Sequence, residues 1–216
     1  MPKIKMHGRS PNVDMTPMVD LFSLLLTFFM LTATFRPMEP VPVDTPFSIS
    51  EKPTPDNNYM TVMLAPGAPG TPGKVYFNFD NGPDTILHFR PKILAEMGKH
   101  YNITFTPEEL ATFEKLTESF GVPIQDMKKY LALTDAKERS KFETGVPTDS
   151  LDNQLAYWVL YARQVNPAII AMIKGDATVE YPLVKKVLDI LQDKNVNKFS
   201  LITNLEKIEV KEAKTE

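Results

Sequence analysis

Three features of the 216-residue sequence predict an α+β protein with a single N-terminal transmembrane helix, an extended proline-rich linker and a mixed β-sheet domain. The first is an apolar run from Met15 to Phe35, the one stretch able to cross a hydrocarbon core of about 30 Å as a helix. The second is the proline series Pro37, Pro40, Pro42, Pro46, Pro53 and Pro55, which favours extended polyproline II and excludes a helix. The third is a strand-helix-strand pattern near the C-terminus, the mark of a βαβ unit.

The segments follow in order: N-terminus 1–12, transmembrane helix 13–35, linker 36–58, folded outer domain 59–205 and charged tail 206–216. Lys3, Lys5 and Arg9 precede the span, whereas Arg36 is followed by Glu39, Asp44 and Glu51. The positive-inside rule therefore puts the N-terminus in the cytoplasm and the remainder outside. Basic residues, an apolar run and Thr32-Ala33-Thr34 also imitate a cleaved signal peptide. The length of the run, Asp20 near its head and the lack of a small-x-small cleavage site favour an uncleaved anchor.

Asp20 is the residue that asks for a function. A charged group at the centre of a spanning helix costs about 2.5–3.5 kcal/mol or more, so ionisable residues there mark proton relays and ion paths. At 100° per residue, Thr16, Ser23, Thr27 and Thr34 all lie within about 60° of Asp20. Leu21, Phe22, Leu25, Leu26, Phe28 and Phe29 supply the lipid-compatible remainder. A carboxylate-and-hydroxyl stripe on such a helix belongs against protein or water. The plainer alternative is an anchor helix with Asp20 near the membrane surface.

The linker, at about 3.1 Å per residue, reaches roughly 60 Å as an extended tether. Tyr59–Leu64 and Lys74–Phe79 read as strands around a Pro/Gly turn at 65–73. Thr106-Pro107-Glu108-Glu109 reads as N-cap, first-turn proline and acidic first turn, with Phe120-Gly121 as the stop. Ile124–Leu133 reads as a short helix. Ser150–Val165 reads as a longer one, with Leu151, Leu155, Trp158, Val159 and Ala162 on one face. Trp158 suits core packing better than a contact surface. Ala168–Lys174 and Phe199–Thr203 read as strands flanking a helix over Tyr181–Lys194, whose stripe is Leu183, Val184, Val187, Leu188 and Leu191. The tail frays, or adds an edge strand through Ile208 and Val210.

Composition removes several functions. Net charge is −3 without a basic surface, which argues against nucleic acid. The lack of cysteine excludes thiol catalysis and cysteine-based metal sites. His7, His88 and His100 have no metal-ligand spacing, and no phosphate loop, dinucleotide fingerprint or nucleophile elbow is present. Glu108-Glu109 fits a helix start better than acid/base chemistry. The sequence is thus read as a non-enzyme with no catalytic residue, cofactor or metal.

Val13-x-Met15-Thr16-Pro17-x-x-Asp20, followed by leucine-rich sequence and Phe29-Met30, resembles the ExbD/TolR family of bacterial inner-membrane motor subunits. Val41-Pro42-Val43-Asp44-Thr45-Pro46 is similar to that family's extended motif after the membrane helix. Ile169–Thr203, with Lys174-Gly175-Asp176 and Val179-Glu180-Tyr181, resembles its C-terminal βαβ segment. The resemblance implies that Asp20 is the proton carrier, that Val43 to Ser48 docks in a strand-like manner, and that Val43, Asp44 and Pro46 dock a partner. It further implies an ExbB/TolQ-like pentameric ring around a homodimer of this protein, a periplasmic outer domain and a TonB-like or TolA-like energy transducer. On this reading the proton-motive force powers transport across the outer membrane. The alternative is a membrane-anchored peptidoglycan- or partner-binding module of a TolQ–TolR type envelope-integrity system. The sequence departs from the family in a helical insert over about 95–166, expected to pack on the domain and tune partner choice.

Overall fold

The computed structural model describes residues 14–32, 39–50, 52–67, 70–82, 86–149 and 152–205. It divides into two units, Met1–Pro37 and Met38–Glu216.

In the first unit, helix α1 runs Thr16–Thr32. The Asp14 carboxylate accepts from the Thr16 backbone N–H at 3.0 Å and from its hydroxyl at 2.6 Å, which fixes the helix start. Pro17 sits in the first turn, where its missing N–H costs nothing. None of the helix is buried. Its 17 residues reach about 25 Å, short of a bilayer core of about 30 Å. No helix among the described residues is long and apolar enough to cross a membrane. Val13, Ala33, Thr34 and Phe35 of the expected span lie outside the described residues.

The second unit is built on a mixed sheet. Strands β2 (Tyr59–Ala65) and β3 (Lys74–Phe79) pair antiparallel, with Met60 opposite Phe79. Strand β4 (Ile170–Gly175) runs parallel to β2, and β5 (Phe199–Ile202) parallel to β4, giving the order β3-β2-β4-β5. Helix α7 (Tyr181–Asp193) connects β4 to β5 and closes the βαβ unit expected from the apolar periods. Two short strands, β1 (Phe47–Ser48) and β6 (Asn204–Leu205), form a separate parallel pair.

Between β3 and β4 lie α2 (Phe89–His100), α3 (Pro107–Lys115), a 3-10 turn (Ile124–Asp126), α4 (Met127–Ala132), α5 (Ala136–Phe142) and α6 (Gln154–Val165). Strand alternation turns Met60, Val62 and Leu64 with Phe77 and Phe79 into the same cluster as Leu94, Phe113, Trp158 and Val187, so one sheet face carries the helices. Trp158 is fully buried, with ring centroids 5.0 Å from Phe120 and 6.1 Å from Phe79. The second face holds a smaller cluster of Met63, Ala65 and Tyr76, covered by Val41 and Val43.

Local signals hold where they were strong. Thr106 makes a full capping box with Glu109, Pro107 opens α3, and Leu155, Trp158, Val159 and Ala162 are the buried face of α6. Leu151 lies outside the described residues, as do Ile208, Val210 and the tail.

Three expectations are corrected. Phe120-Gly121 does not stop a helix, because α3 ends at Lys115. Phe120 instead bridges Phe77, with N–H···O bonds of 2.8 and 2.9 Å in the two directions. Val146 N–H then donates to Val75 O at 2.7 Å, so the returning loops satisfy an edge strand that would otherwise present free backbone groups. Gly121 permits this approach: a Cβ there would stand 2.4 Å from the Tyr76 ring. Helix formation also starts earlier than the expected insert, at Phe89, and adds α5. Finally, the linker is not an extended tether throughout: Val41 and Val43 pack on the second face of the sheet, and Phe47–Ser48, within the stretch expected to dock as a strand, pairs with the domain's own Asn204–Leu205.

Candidate functional site

On α1 the structure places Asp20, Thr16, Ser23 and Thr27 on one exposed stripe of the helix. The Thr27 hydroxyl donates to Leu24 O at 2.9 Å, so its polarity is partly satisfied within the helix. Thr34 lies outside the described residues. Around the stripe the apolar side chains are open: Leu26 is 70% exposed and Leu31 86%. A helix so apolar, with no buried residue of its own, lacks the cover that apolar surface requires. Its polar groups are one carboxyl, Asp20, and a few hydroxyls.

The second set of residues belongs to the linker and its seat. Lys174 pairs with Glu39, and the Asp44 N–H donates to Asp176 Oδ2 at 2.9 Å. Ala177 N–H returns a bond to Asp44 O at 2.9 Å. Asp176 Oδ1 meanwhile accepts from the Thr178 N–H and hydroxyl at 2.9 and 2.6 Å. These donors, the Thr178 hydroxyl first, hold the Asp176 carboxyl below the usual aspartate value. Asn204 closes the seat, its N–H donating to Pro46 O at 3.0 Å and its side-chain amide to Thr45 O at 3.2 Å. Val43, Asp44 and Pro46 thus all contact their own domain, through packing, hydrogen bonds and an accepting carbonyl respectively. Beside the linker the sheet face stays open as a cleft of about 430 Å³, floored by Thr61, Met63 and Met172 and rimmed by Asp56.

Two buried charged residues escaped the sequence reading. Arg90 is 2% exposed; its Nη1 donates to Phe79 O at 2.6 Å and Asn78 Oδ1 at 2.8 Å, and its Nε to Phe113 O at 3.3 Å. Burial lowers its pKa to about 10, which leaves it protonated at neutral pH. Glu143 is 3% exposed, and burial pushes its carboxyl up to about 7. An arginine in the first turn of α2 and a glutamate just past α5 carry no local signal of burial. Of the histidines, His88 pairs with Glu114, and His100 packs on Tyr157 with ring centroids 4.0 Å apart. His7 is outside the described residues. Among the described residues no three His, Cys, Asp or Glu side chains group as metal ligands.

A family model described as biopolymer transport protein ExbD/TolR matches residues 7–206. No curated protein and no solved structure matches the chain. Members of that family are inner-membrane proteins with a periplasmic domain. They are subunits of energising complexes for biopolymer transport and act with ExbB/TolQ and TonB/TolA partners. They are not known as enzymes. The match takes in α1 with Asp20, the linker, the six described strands and the helices between β3 and β4: the chain belongs to the ExbD/TolR family.

Proposed function

We propose that this protein is the proton-carrying subunit of an ExbB–ExbD type motor, in which the proton-motive force acts on Asp20 and movement passes outward to a TonB-like partner. In this reading α1 and its flanks, 13–35, cross the inner membrane with the N-terminus in the cytoplasm and the domain from 59 in the periplasm. One observation carries the proposal: Asp20 shares a face with Thr16, Ser23 and Thr27 on an apolar helix that has no buried residue among those described. A single helix does not enclose a proton path, so the stripe calls for partner helices. An ExbB/TolQ-like pentameric ring around two copies of the chain supplies them. Each charge moved through 100 mV delivers about 2.3 kcal/mol, so a few protons suffice for a mechanical step. One carboxylate without a cage of further oxygen ligands suits a proton better than sodium.

The test is Asp20→Asn, which keeps size and removes the titratable charge. Membrane insertion and complex assembly should persist while energy-dependent function is lost. Retained activity in a clean replacement strain would sink the proton-carrier role. A second reading, the TolQ–TolR type, is supported by the family match, whose description carries both names. As a membrane-anchored peptidoglycan- or partner-binding module it predicts that Asp20→Asn leaves envelope integrity intact, whereas removal of the outer domain makes the envelope leak.

A further inference from the structure

Glu143 lines a small cavity of about 120 Å³ whose other walls are Glu39 and Pro40 of the linker, Glu118, and Lys137, Arg139 and Ser140 of α5. Its Oε1 accepts from the Tyr130 hydroxyl at 2.8 Å, while Oε2 is buried without a hydrogen-bond partner. The cavity therefore joins the inserted helices to the first residues of the docked linker.

Lys74 and Arg139 favour the ionised form of Glu143, but burial outweighs them. From β3, the Lys74 ammonium donates to the Glu143 backbone carbonyl at 3.0 Å, and the Tyr76 hydroxyl bears on it only weakly. From α5, Arg139 Nε is committed to Leu133 O at 2.8 Å, and Lys137 lies on the cavity wall. Tyr130 of α4 supplies the single direct donor. Glu118 faces Glu143 as a like charge, and Glu39 of the linker lines the same cavity while paired with Lys174. Ionising Glu143 thus sets a third carboxylate on one small cavity and leaves a charged oxygen dry, the arrangement that low dielectric penalises most. Of the walls, the linker is the one held by a few exposed polar contacts, so it is the wall that yields.

We propose that Glu143 is a protonation-controlled catch on the linker: its neutral carboxyl lets residues 39–44 seat on the domain, and its ionised carboxyl releases them. The inference does not depend on proton carriage by Asp20. In the seated state Glu39 and Pro40 wall the cavity and burial pushes the Glu143 carboxyl up to about 7, so opening that wall to water moves the carboxyl back towards its ordinary value and loosens its hold on the proton. The Glu143 contribution to seating is therefore largest while its carboxyl is neutral, weakens as pH rises towards about 7, and stays weakened above. One group changes the equilibrium by at most about tenfold per pH unit.

Amide hydrogen exchange of the full-length protein in detergent, with each rate divided by its intrinsic rate, tests this between pH 5 and 7.5. The reporters are the Asp44 and Ala177 amides, which bridge linker and seat. In the wild type both should lose about tenfold or more protection across the range. In Glu143→Gln the profile should be flat and protected. Tyr130→Phe removes the donor that favours the ionised form, so the fall should move to higher pH; a merely structural tyrosine would lower protection equally at every pH. A pH-dependent loss that persists in Glu143→Gln, or its absence from the wild type, overturns the proposal. So does a uniform loss in Tyr130→Phe.

Discussion

Arg90→Met asks whether a buried guanidinium holds this domain together or burdens it. Methionine keeps the length and apolar stem while removing the charge and every donor. Against the arginine stands its own desolvation: the drop from 12.5 to about 10 corresponds to about 3 kcal/mol at neutral pH. That penalty is present while the group is charged, below about pH 10, and is relieved above it. In favour stand bonds to Asn78 Oδ1, Phe79 O and Phe113 O, each from a charged donor and worth about 1.5–3 kcal/mol. The guanidinium also lies 5.0 Å from the centroids of both the Phe79 and Phe113 rings, which adds about 1 kcal/mol or more. The attractive side wins, and the variant leaves buried acceptors without donors. We expect a loss of about 3 kcal/mol, or a melting point lower by about 6–12 °C for a domain of this size. Trp158, the single tryptophan, reports the transition from the same aromatic cluster, 6.4 Å from Phe113. Equal or greater stability in Arg90→Met at pH 7 would refute the argument, as happens where apolar replacements outperform buried charges.

Two further outcomes follow from the packing. Gly121→Ala drives a methyl to within 2.4 Å of the Tyr76 ring, and should cost about 1–3 kcal/mol in urea unfolding while leaving Thr106-capped α3 intact. An unchanged midpoint would show that the loop has room to shift. Asp176→Ala removes the acceptor for the Asp44 N–H and should raise exchange at that amide by about fivefold, near 1 kcal/mol, without lowering the melting point of the domain. In the wild type the same anchor should hold above pH 3.8 and be lost as pH falls below it, because the seated carboxyl is the more acidic one. Unaltered Asp44 exchange in the variant would mean the apolar contacts of Val41 and Val43 seat the linker alone.

What could be read in advance was local. The Thr106–Glu109 box, the α6 stripe around Trp158 and the period of α7 each carry their structure in adjacent residues, and each appears where expected. The Asp20 stripe was legible for the same reason, since helical period alone aligns it with Thr16, Ser23 and Thr27. The seat of the linker was not. Lys174-Gly175-Asp176 stood out as a motif, but its partners Glu39 and Asp44 lie more than 130 residues earlier, and no periodicity connects them. Strand-like docking was expected at Val43–Ser48, but its partner Asn204–Leu205 and the Phe77–Phe120 bridge were not, because each pairing is chosen by tertiary packing between residues far apart in the chain.

The way the linker is fastened decides how it responds to tension. Its attachments come one after another along the chain: Glu39 on Lys174, then Asp44 on Asp176, then Pro46 to Ser48 on Asn204 and Leu205. A pull from the N-terminal end loads the nearest attachment first, so they yield singly and in chain order, beginning with the Glu39–Lys174 pair, which contributes about 1 kcal/mol or less. Five residues from Glu39 to Asp44 free roughly 17 Å of chain, and the stretch to Ser48 roughly 13 Å more. The linker then behaves as a stepped extension with two lengths. The domain remains folded throughout, since its main core lies on the opposite face of the sheet.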